Sequence, residues 1–333
     1  MRQIAALLPG YDCWFSQVFS DTNLSGFLEK YTTVMDGTVM SEQYRESTEK
    51  YLREYGLQID YKAVKNKYDL VVFCSDMVVP PSLRKTKTIW VQEGMIDKMT
   101  VVSRMVKALG LPIWLAGNTS LNGSTNICDL YCAASPGYKK ALSQMGAQTE
   151  RVIVTGIPNY DNLVQHVNNN FPHRDYVMVA TTDMRETLRY ENRPAFIKEA
   201  VRIANGRRLL FKLHPNENFL RAAGEIKKYA PAGTLIYYTG HTNEMIANCC
   251  ELITQYSTVV YTGIALGKKV HSWFDLEKLY KLMPIQNQGN SAQNIAGICR
   301  AYIEFKGSRN EFLKTFNYQP AETEQMVEEL IAS

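Results

Sequence analysis

Short apolar runs alternate with longer amphipathic segments along most of this 333-residue chain, and that rhythm constrains the fold more than any other feature. Such alternation is typical of a mostly parallel sheet covered by helices, so the sequence predicts an α/β protein. The predicted strands of the first half are residues 4–8, 70–74, 88–91, 113–116, 130–133 and 152–155. Those of the second half are residues 176–181, 209–213, 235–238, 252–254 and 269–272.

The same rhythm occurs in two half-chains, joined by residues 156–162 and the polar run 166–174. This predicts two Rossmann-like domains facing each other across a cleft, with a ligand outside the carboxyl ends of the strands. We assign residues 1–157 to the first domain, 158–310 to the second and 311–333 to a helical tail. The predicted helices are residues 41–55, 100–109, 193–204, 218–229, 243–248 and, in the tail, 322–329.

Composition and charge exclude several classes of protein. With 45% hydrophobic and 21% charged residues, the chain is neither disordered nor collagenous nor a coiled coil. A net charge of +4 is far below that of a dedicated nucleic-acid binder, so no nucleic-acid partner is expected. The seven scattered cysteines lack CxxC or zinc-site spacing, which predicts reduced thiols and no metal.

The lengths of the apolar segments predict where in the cell the protein is located. No window approaches the roughly 20 apolar residues of a membrane-spanning helix, and the first residues do not form a convincing signal peptide. We therefore expect a cytoplasmic protein, with peripheral contact at the inner face of a membrane left open. The basic cluster Arg84, Lys85 and Lys87 is either solvated loop charge or a weak contact with anionic lipid.

The strongest local motif is LLFKLHPNEN, residues 209–218, where a buried strand ends abruptly in His214-Pro215. Because Pro215 has no N–H, it stops the strand and leaves His214 at its carboxyl edge, where ligands of α/β proteins bind. A histidine there can donate to a phosphate oxygen as a nucleotide departs. The alternative is a histidine that merely caps the turn.

A second motif follows the next strand but one, where residues 252–254 run into Ser257-Thr258 and a helix-like segment. Hydroxyls and free main-chain N–H groups at a helix start can bind phosphate, so we predict Ser257 and Thr258 as phosphate binders. An ordinary N-cap is the alternative, because serine and threonine are preferred there in any case. His241, after YYTG, is a candidate for contact with the nucleobase or ribose.

A third motif is Gln92-Glu93-Gly94, at the end of the predicted strand 88–91. Glu93, next to a glycine that lets a substrate approach, is a candidate general base for a hydroxyl nucleophile. The alternative is a loop carboxylate paired with Lys98. Tyr11 lies in an early loop, Pro9-Gly10-Tyr11, that follows the first predicted strand, as an acceptor-binding loop would; a plain turn is the alternative.

Signatures of other enzyme classes are missing from the sequence. GxGxxG, GxxxxGK[ST] and GxSxG do not occur, which removes the main support for dinucleotide oxidoreductases, P-loop kinases and α/β-hydrolases. The aspartates Asp12, Asp76 and Asp129 show no DxD spacing, so the chemistry is expected to need no metal.

Taken together, Glu93-Gly94, His214-Pro215 and Ser257-Thr258 resemble the three short motifs of bacterial CMP-sugar glycosyltransferases: sialyltransferases, polysialyltransferases and capsule Kdo transferases. The resemblance implies the two-Rossmann GT-B fold, with an N-terminal acceptor domain and a C-terminal donor domain. It also implies a catalytic base at the acidic motif and phosphate contacts from the other two. In those families two acids usually precede the glycine, whereas here the first position is Gln92.

Two further families share parts of this pattern. Residues 253–270 are similar to the corresponding stretch of CDP-glycerol glycerophosphotransferases, which use a His-Pro histidine but have His-Gly where this chain has Glu93-Gly94. UDP-N-acetylglucosamine 2-epimerases have HPN and glycine-rich motifs that resemble His214-Pro215-Asn216 and the Ser257 loop. Their early G-T-R-P and later H-R-x-E-N signatures are absent here.

The sequence thus predicts a metal-independent GT-B glycosyltransferase of bacterial surface-polysaccharide synthesis. It would move an acidic sugar from a CMP donor to a hydroxyl of a glycan or glycolipid acceptor, with Gln92, Gly94 and Tyr11 on the acceptor side. The glycerophosphotransferase and epimerase alternatives stay open. So does a non-catalytic protein that binds a nucleotide without transferring anything.

Overall fold

The computed structural model describes residues 1–21, 41–186 and 189–316, which belong to two compact units. Unit 1 combines Met1–Asp161 with the chain from Asn287 onward, and unit 2 is Asn162–Gln286. The helix predicted at 322–329 lies outside the described residues. No helix in the described ranges is long and apolar enough to cross a membrane.

Within the described residues, unit 1 contains a four-stranded parallel sheet, with the strands side by side in chain order, and a separate two-stranded parallel pair. The pair is β1 (Trp14–Phe15) and β2 (Gln58–Ile59), and the sheet is β3 (Leu70–Phe73), β4 (Lys87–Val91), β5 (Leu130–Ala133) and β6 (Val152–Val154). The helices that the structure describes up to Asp161 are α1 (Arg2–Ala6), α2 (Glu42–Glu54), α3 (Val101–Ala108) and α4 (Pro136–Met145). The predicted helices at 41–55 and 100–109 and four of the six predicted strands are confirmed.

Unit 2, in its described residues, is one five-stranded parallel sheet with helices between successive strands. The strands are β7 (Tyr176–Ala180), β8 (Leu209–Lys212), β9 (Leu235–Tyr237), β10 (Cys249–Thr254) and β11 (Lys269–His271). The helices are α5 (Arg193–Ala204), α6 (Phe219–Tyr229), α7 (Thr242–Asn248), α8 (Val259–Ala265) and α9 (Leu276–Leu282). The spatial order is β11-β10-β7-β8-β9, the doubly wound order of a Rossmann domain. All five predicted strands are confirmed, and so are the helices predicted at 193–204, 218–229 and 243–248.

The chain returns to unit 1 for α10 (Ser291–Glu304) and α11 (Arg309–Thr315). The apolar face of α10, including Ile295 and Cys299, is buried in one core with Ile4 of α1 and with Ile89 of β4. Residues 287–310 therefore pack with the first sheet, whereas the sequence analysis placed them in the second domain. Periodicity identifies an amphipathic face but not the sheet that covers it, because many apolar surfaces can accept the same stripe.

Asp161 marks the point where the chain leaves and re-enters unit 1. Its carboxylate accepts main-chain N–H bonds from Asn287 and Ser291, each at 2.7 Å. It therefore satisfies the N–H of Ser291, the first residue of α10, where the first N–H groups have no partner within the helix. It also satisfies the N–H of Asn287, in the segment that leads into this helix. This places the boundary at 161/162, inside the linker 156–162, rather than at 157/158.

Two predicted strands of unit 1 are wrong. Residues 4–8 lie in and just after the helix α1, with Ile4 and Leu8 buried one turn apart against α10. A five-residue apolar run does not distinguish a strand from a buried helical turn. Residues 113–116 form a 3₁₀ turn that starts after Pro112 and ends at Gly117, whose φ of +68° is left-handed.

The basic cluster at residues 84–87 is not simply solvated charge. The Lys87 ammonium donates to three carbonyl oxygens at the end of α10, at 2.7 to 3.0 Å, so it caps that helix C-terminus. The Arg84 guanidinium donates to the carbonyl of Val79. Two of the three side chains are therefore committed to contacts within the fold.

Glu251 on β10 is the centre of an ion cluster at one edge of unit 2. Its side chain is 2% exposed and lies 2.5 Å from Arg207, 2.8 Å from Lys269 and 2.5 Å from His271. Burial alone would raise the pKa of this carboxyl, but the hydrogen bonds from His271, Lys269 and Arg207 outweigh it and lower the pKa to about 2.

We expect this cluster to make unit 2 sensitive to acid. Because the folded pKa lies below the unfolded one, the stabilisation is complete above about pH 4.5 and is lost as the pH falls towards 2. Its size is about 2 kcal/mol after allowance for solvent around Arg207 and Lys269. Urea unfolding between pH 2 and 7 should show Glu251→Gln losing this amount at neutral pH and less in acid. An unchanged pH dependence in the variant would contradict the assignment.

Candidate functional site

The site is built on the carboxyl edge of the unit 2 sheet. β8 and β10 flank β7 on opposite sides. The chain runs outward from β7 through β8 and β9 and then crosses back to β10 on the other side of β7, so the direction of winding reverses there. In doubly wound sheets the crevice at such a switch point is the usual ligand position. The segments that leave this edge begin at Thr181 after β7, at Leu213 after β8 and at Gln255 after β10.

The His214-Pro215 turn is held mainly by its main chain. The N–H of His214 donates to Glu217 Oε2 at 2.8 Å and to Thr181 Oγ1 at 3.2 Å, and the carbonyl of Pro215 accepts the Tyr238 hydroxyl at 2.7 Å. These bonds do not involve the imidazole. The side chain of His214 is 35% exposed and is left available for another role.

The ring of His214 is oriented by its neighbour in the turn. Nδ1 accepts the main-chain N–H of Asn216 at 3.2 Å, and the Asn216 amide donates to Asp183 at 3.0 Å. Because Nδ1 is the acceptor, we assign the proton of the neutral ring to Nε2. Among the described residues Nε2 has no hydrogen-bond partner, so an N–H donor is available at the strand end. This arrangement suits a phosphate oxygen.

A buried ion network lies beneath the turn. Glu217 accepts the N–H of His214 and the hydroxyl of Thr181 with Oε2, and its Oε1 lies 2.5 Å from the Arg193 guanidinium. Arg193 also pairs with Glu191 at 2.8 Å, and the side chains of Glu191, Arg193 and Glu217 are all 0% exposed. The network therefore connects the first turn of α5 to the residue that fixes the His-Pro turn.

Gln255 connects the end of β10 to the end of β7. Its Oε1 accepts the hydroxyl of Thr182 at 3.1 Å, next to Thr181 on the His214 side. The side chain is fully buried, and its Nε2 has no hydrogen-bond partner among the described residues. A buried amide donor without a partner is costly in a folded protein, so a ligand oxygen at this edge would satisfy it.

Ser257 and Thr258 follow Gln255 at the same edge. Ser257 is half-buried and its Oγ accepts the N–H of Val259 at 3.5 Å, while Thr258 is exposed and makes no side-chain cap bond. The structure thus brings His214 and the Ser257 loop to one sheet edge through Thr181, Thr182 and Gln255. Sequence reasoning missed these three linking residues, although hydroxyls directly after the run YVMVA were a usable signal.

The residues predicted at the acceptor side lie in unit 1. Glu93 follows β4 and is exposed, and within the described ranges its carboxylate has no ion pair, so the pairing with Lys98 is not found. Its carbonyl accepts the Asn159 amide at 3.0 Å. A Cβ placed on Gly94 would come no closer than 3.9 Å to the Tyr160 hydroxyl, so the position has room beside it.

Gln92 has a structural role in this loop. Its side chain is 2% exposed, and its Oε1 accepts the N–H of Ala134 at 2.9 Å while its Nε2 donates to the carbonyl of Gly94 at 2.8 Å. The amide joins the ends of β4 and β5 and needs both a donor and an acceptor. A carboxylate has no donor when ionised.

We therefore expect Gln92→Glu, which would restore the two acids of the related motif, to destabilise the protein by about 1 to 3 kcal/mol. The new carboxylate would be buried and would face the Gly94 carbonyl. Chemical denaturation measures the loss in the free energy of unfolding. Glu93→Gln, a change at the exposed neighbouring position, is the control. Equal stability of wild type and Gln92→Glu would show that the amide donor is not needed.

Two predicted contact residues have partners away from the His214 turn. The ring of His241 lies 4.9 Å from that of His166, and burial, followed by the proximity of His241, lowers the pKa of His166. The Tyr11 hydroxyl donates to Glu304 of α10 at 2.8 Å. The nucleobase role of His241 and the acceptor role of Tyr11 remain predictions. In the described ranges no three His, Cys, Asp or Glu side chains cluster as metal ligands would.

Comparison with known proteins reveals likeness in fold rather than in sequence. No protein family matches the chain, and no curated protein does. Among solved structures, S. aureus MnaA in complex with UDP is 13% identical, with a TM-score of 0.50 over 96% of this chain and 95% of that one. A putative UDP-N-acetylglucosamine 2-epimerase from Listeria monocytogenes is 14% identical, with a TM-score of 0.49 and coverage of 99% and 91%. The wall teichoic acid polymerase TagF is 13% identical, with a TM-score of 0.45 and coverage of 91% and 93%.

At this identity the MnaA likeness shows the fold alone. Together with the parallel sheets of both units, it confirms the predicted α/β class with two Rossmann-like domains of GT-B type. A fold by itself does not determine an activity, so the function is argued from the site.

Proposed function

We propose that the chain is a nucleotide-sugar-dependent enzyme whose unit 2 binds the phosphate of the donor at the His214 turn and the Ser257 loop. The observation that carries the proposal is a pair of hydrogen-bond donors at one sheet edge that have no partner among the described residues. His214 offers Nε2–H beyond a turn fixed by main-chain bonds, and Gln255 offers a buried N–H₂ without a partner. Both kinds of group bind phosphate oxygens.

The more specific proposal is transfer of an acidic sugar from a CMP donor to an acceptor hydroxyl. The hydroxyl oxygen attacks the anomeric carbon, its proton passes to the Glu93 carboxylate, and the bond to the phosphate oxygen breaks with its electron pair on the departing CMP. The His214 Nε2–H donates to that phosphate, and Ser257 and Thr258 hold it. Two features of Glu93 support a role as the base. Its side chain is exposed and has no ion pair among the described residues, and it lies next to the open position at Gly94.

Two other activities follow from the same site with a different donor. A CDP-glycerol donor would place its pyrophosphate at the same edge and transfer glycerol phosphate, and a UDP-N-acetylglucosamine substrate would support epimerisation. The presence of UDP in the MnaA structure is the reason to include uridine nucleotides in any assay. The other class is a protein that binds the nucleotide and transfers nothing.

A donor assay with Glu93→Gln tests the enzymatic proposal. Release of nucleotide from CMP-sialic acid, CMP-Kdo, CDP-glycerol and UDP-N-acetylglucosamine is measured for the wild type, for Glu93→Gln and for the matched control Lys98→Gln. We expect release from one CMP-sugar, reduced about 100-fold or more by Glu93→Gln and unchanged in Lys98→Gln, with nucleotide affinity retained. Affinity without turnover of any donor would favour the binding protein.

A further inference from the structure

We propose that α3 and the turn after it form a membrane-docking surface that binds anionic lipid. Six large apolar side chains are exposed within a short stretch of unit 1, and we call them the α3 face. They are Val101, Val102, Met105, Leu109, Leu111 and Leu115, with exposures between 42% and 72%. Scattered exposed apolar residues are ordinary, but a contiguous patch marks an interaction site.

Helical geometry makes the patch contiguous. Positions 101, 102, 105 and 109 fall within about 100° of arc at 100° per residue, so they form one stripe along α3. The opposite side, with Ser103 and Val106, is the buried one and packs on the 3₁₀ turn Ile113–Ala116. Leu111 and Leu115, in the segment after the helix, are exposed as well. The helix is therefore fully anchored by one face and leaves an apolar face uncovered.

The charges around the α3 face indicate what kind of partner binds it. Lys98, just before the helix, and Arg104, beside the stripe, are exposed cations, and no aspartate or glutamate occurs from residue 98 to residue 128. Lys107 lies on the other side of the helix, where its ammonium donates to the carbonyl of Met145. A basic amphipathic helix lies in the headgroup region with its apolar side in the acyl boundary and its cations on anionic lipid. A second copy of the chain, joined by a two-fold axis, would instead bring the positive charges of Lys98 and Arg104 towards those of their symmetry mates.

This surface is distinct from the basic residues 84–87, two of which are bonded within the fold. It also does not depend on the proposed function, because vesicle binding is measured without donor or acceptor. The α3 face and Glu93, the proposed base, are nevertheless close along the chain. Six residues lie between Glu93 and Thr100, the N-cap of α3, so these two residues are at most about 25 Å apart.

Vesicle co-sedimentation of the full chain tests the proposal, with phosphatidylcholine vesicles that contain or lack 30% phosphatidylglycerol, roughly the anionic content that gives a strong surface potential. The variants are Met105→Asp/Leu109→Asp on the face and Lys98→Gln/Arg104→Gln at its border. Leu220→Asp, in unit 2 and 81% exposed in the wild type, is the control. All replaced side chains are exposed, so thermal unfolding should stay as in the wild type.

We expect binding to the anionic vesicles only, lowered at least tenfold by the aspartate pair and about fivefold per lost charge by the glutamine pair. Leu220→Asp should bind as the wild type does. Equal binding of wild type and the aspartate pair would overturn the proposal. So would a dimer, seen by analytical ultracentrifugation, that the aspartate pair dissociates, because the face would then belong to a second copy.

Discussion

His214→Ala should lower turnover by about 100-fold or more while leaving the protein folded. The His-Pro turn is held by the main-chain N–H of residue 214, which bonds to Glu217 and Thr181, and alanine keeps that N–H. What alanine removes is the Nε2–H donor to the leaving phosphate. Steady-state nucleotide release with the donor that the wild type uses, beside a thermal unfolding curve, measures both quantities.

His214→Gln separates the two ways in which the histidine can act. A glutamine amide can donate a hydrogen bond but cannot transfer a proton at neutral pH, so it should recover activity only if hydrogen bonding is sufficient. His173→Gln is the matched control, because His173 lies in the same unit with its Nε2 2.9 Å from the Tyr237 hydroxyl. Turnover of His214→Ala equal to that of the wild type would remove the histidine from the mechanism.

Arg193→Met should be the most destabilising single change, at about 3 to 5 kcal/mol. The guanidinium is fully buried between Glu191 and Glu217. Its removal leaves the buried Glu217 carboxylate without a counter-charge and leaves Glu191 with Arg185 alone, at 3.3 Å. We expect the loss in urea unfolding, together with weaker nucleotide binding, because Glu217 holds the N–H of His214.

Two further variants show whether the loss comes from unpaired charge. Arg193→Met combined with Glu191→Gln and Glu217→Gln should recover at least half of the lost stability, because no buried charge is then left alone. Arg202→Met, at an exposed ion pair on the same helix, should leave the unfolding midpoint unchanged. A triple variant less stable than Arg193→Met would show that the network contributes through packing rather than charge.

Much of the fold could be predicted from the sequence because parallel strands buried on both faces appear as apolar runs. All five strands of unit 2 carry this signal, and all of their residues are buried or partly buried except Cys250 and Lys269, which are exposed. Residues 4–8 carry it too, but form a helical turn. The run is too short for its pattern to distinguish a strand from a helical turn. The helical turn is stabilised by packing of Ile4 and Leu8 on α10, nearly three hundred residues later.

The position of the candidate site could be predicted, but the residues that hold it in place could not. Strand ends are recognisable at His214 and Ser257, and parallel strands bring such ends to one edge. Arg193 gives no signal, since an arginine beside a proline at a helix start usually faces solvent. Its burial follows from two glutamates, at 191 and 217, that the fold brings to it. Gln92, which looked like a substituted acid, is explained by hydrogen bonds to Ala134 and Gly94 that only the structure shows.

The most direct test of the central claim is thermal unfolding of the full chain with CMP, CDP, UMP, UDP, GDP and ADP, for the wild type and for His214→Ala. A nucleotide at 100 times its dissociation constant should add about 2.7 kcal/mol to the stability. We predict a selective shift with a pyrimidine nucleotide, CMP for the sugar transfer proposed, that is largely lost in His214→Ala. No shift with any nucleotide, or the same shift in the variant, would contradict a phosphate site at the end of β8.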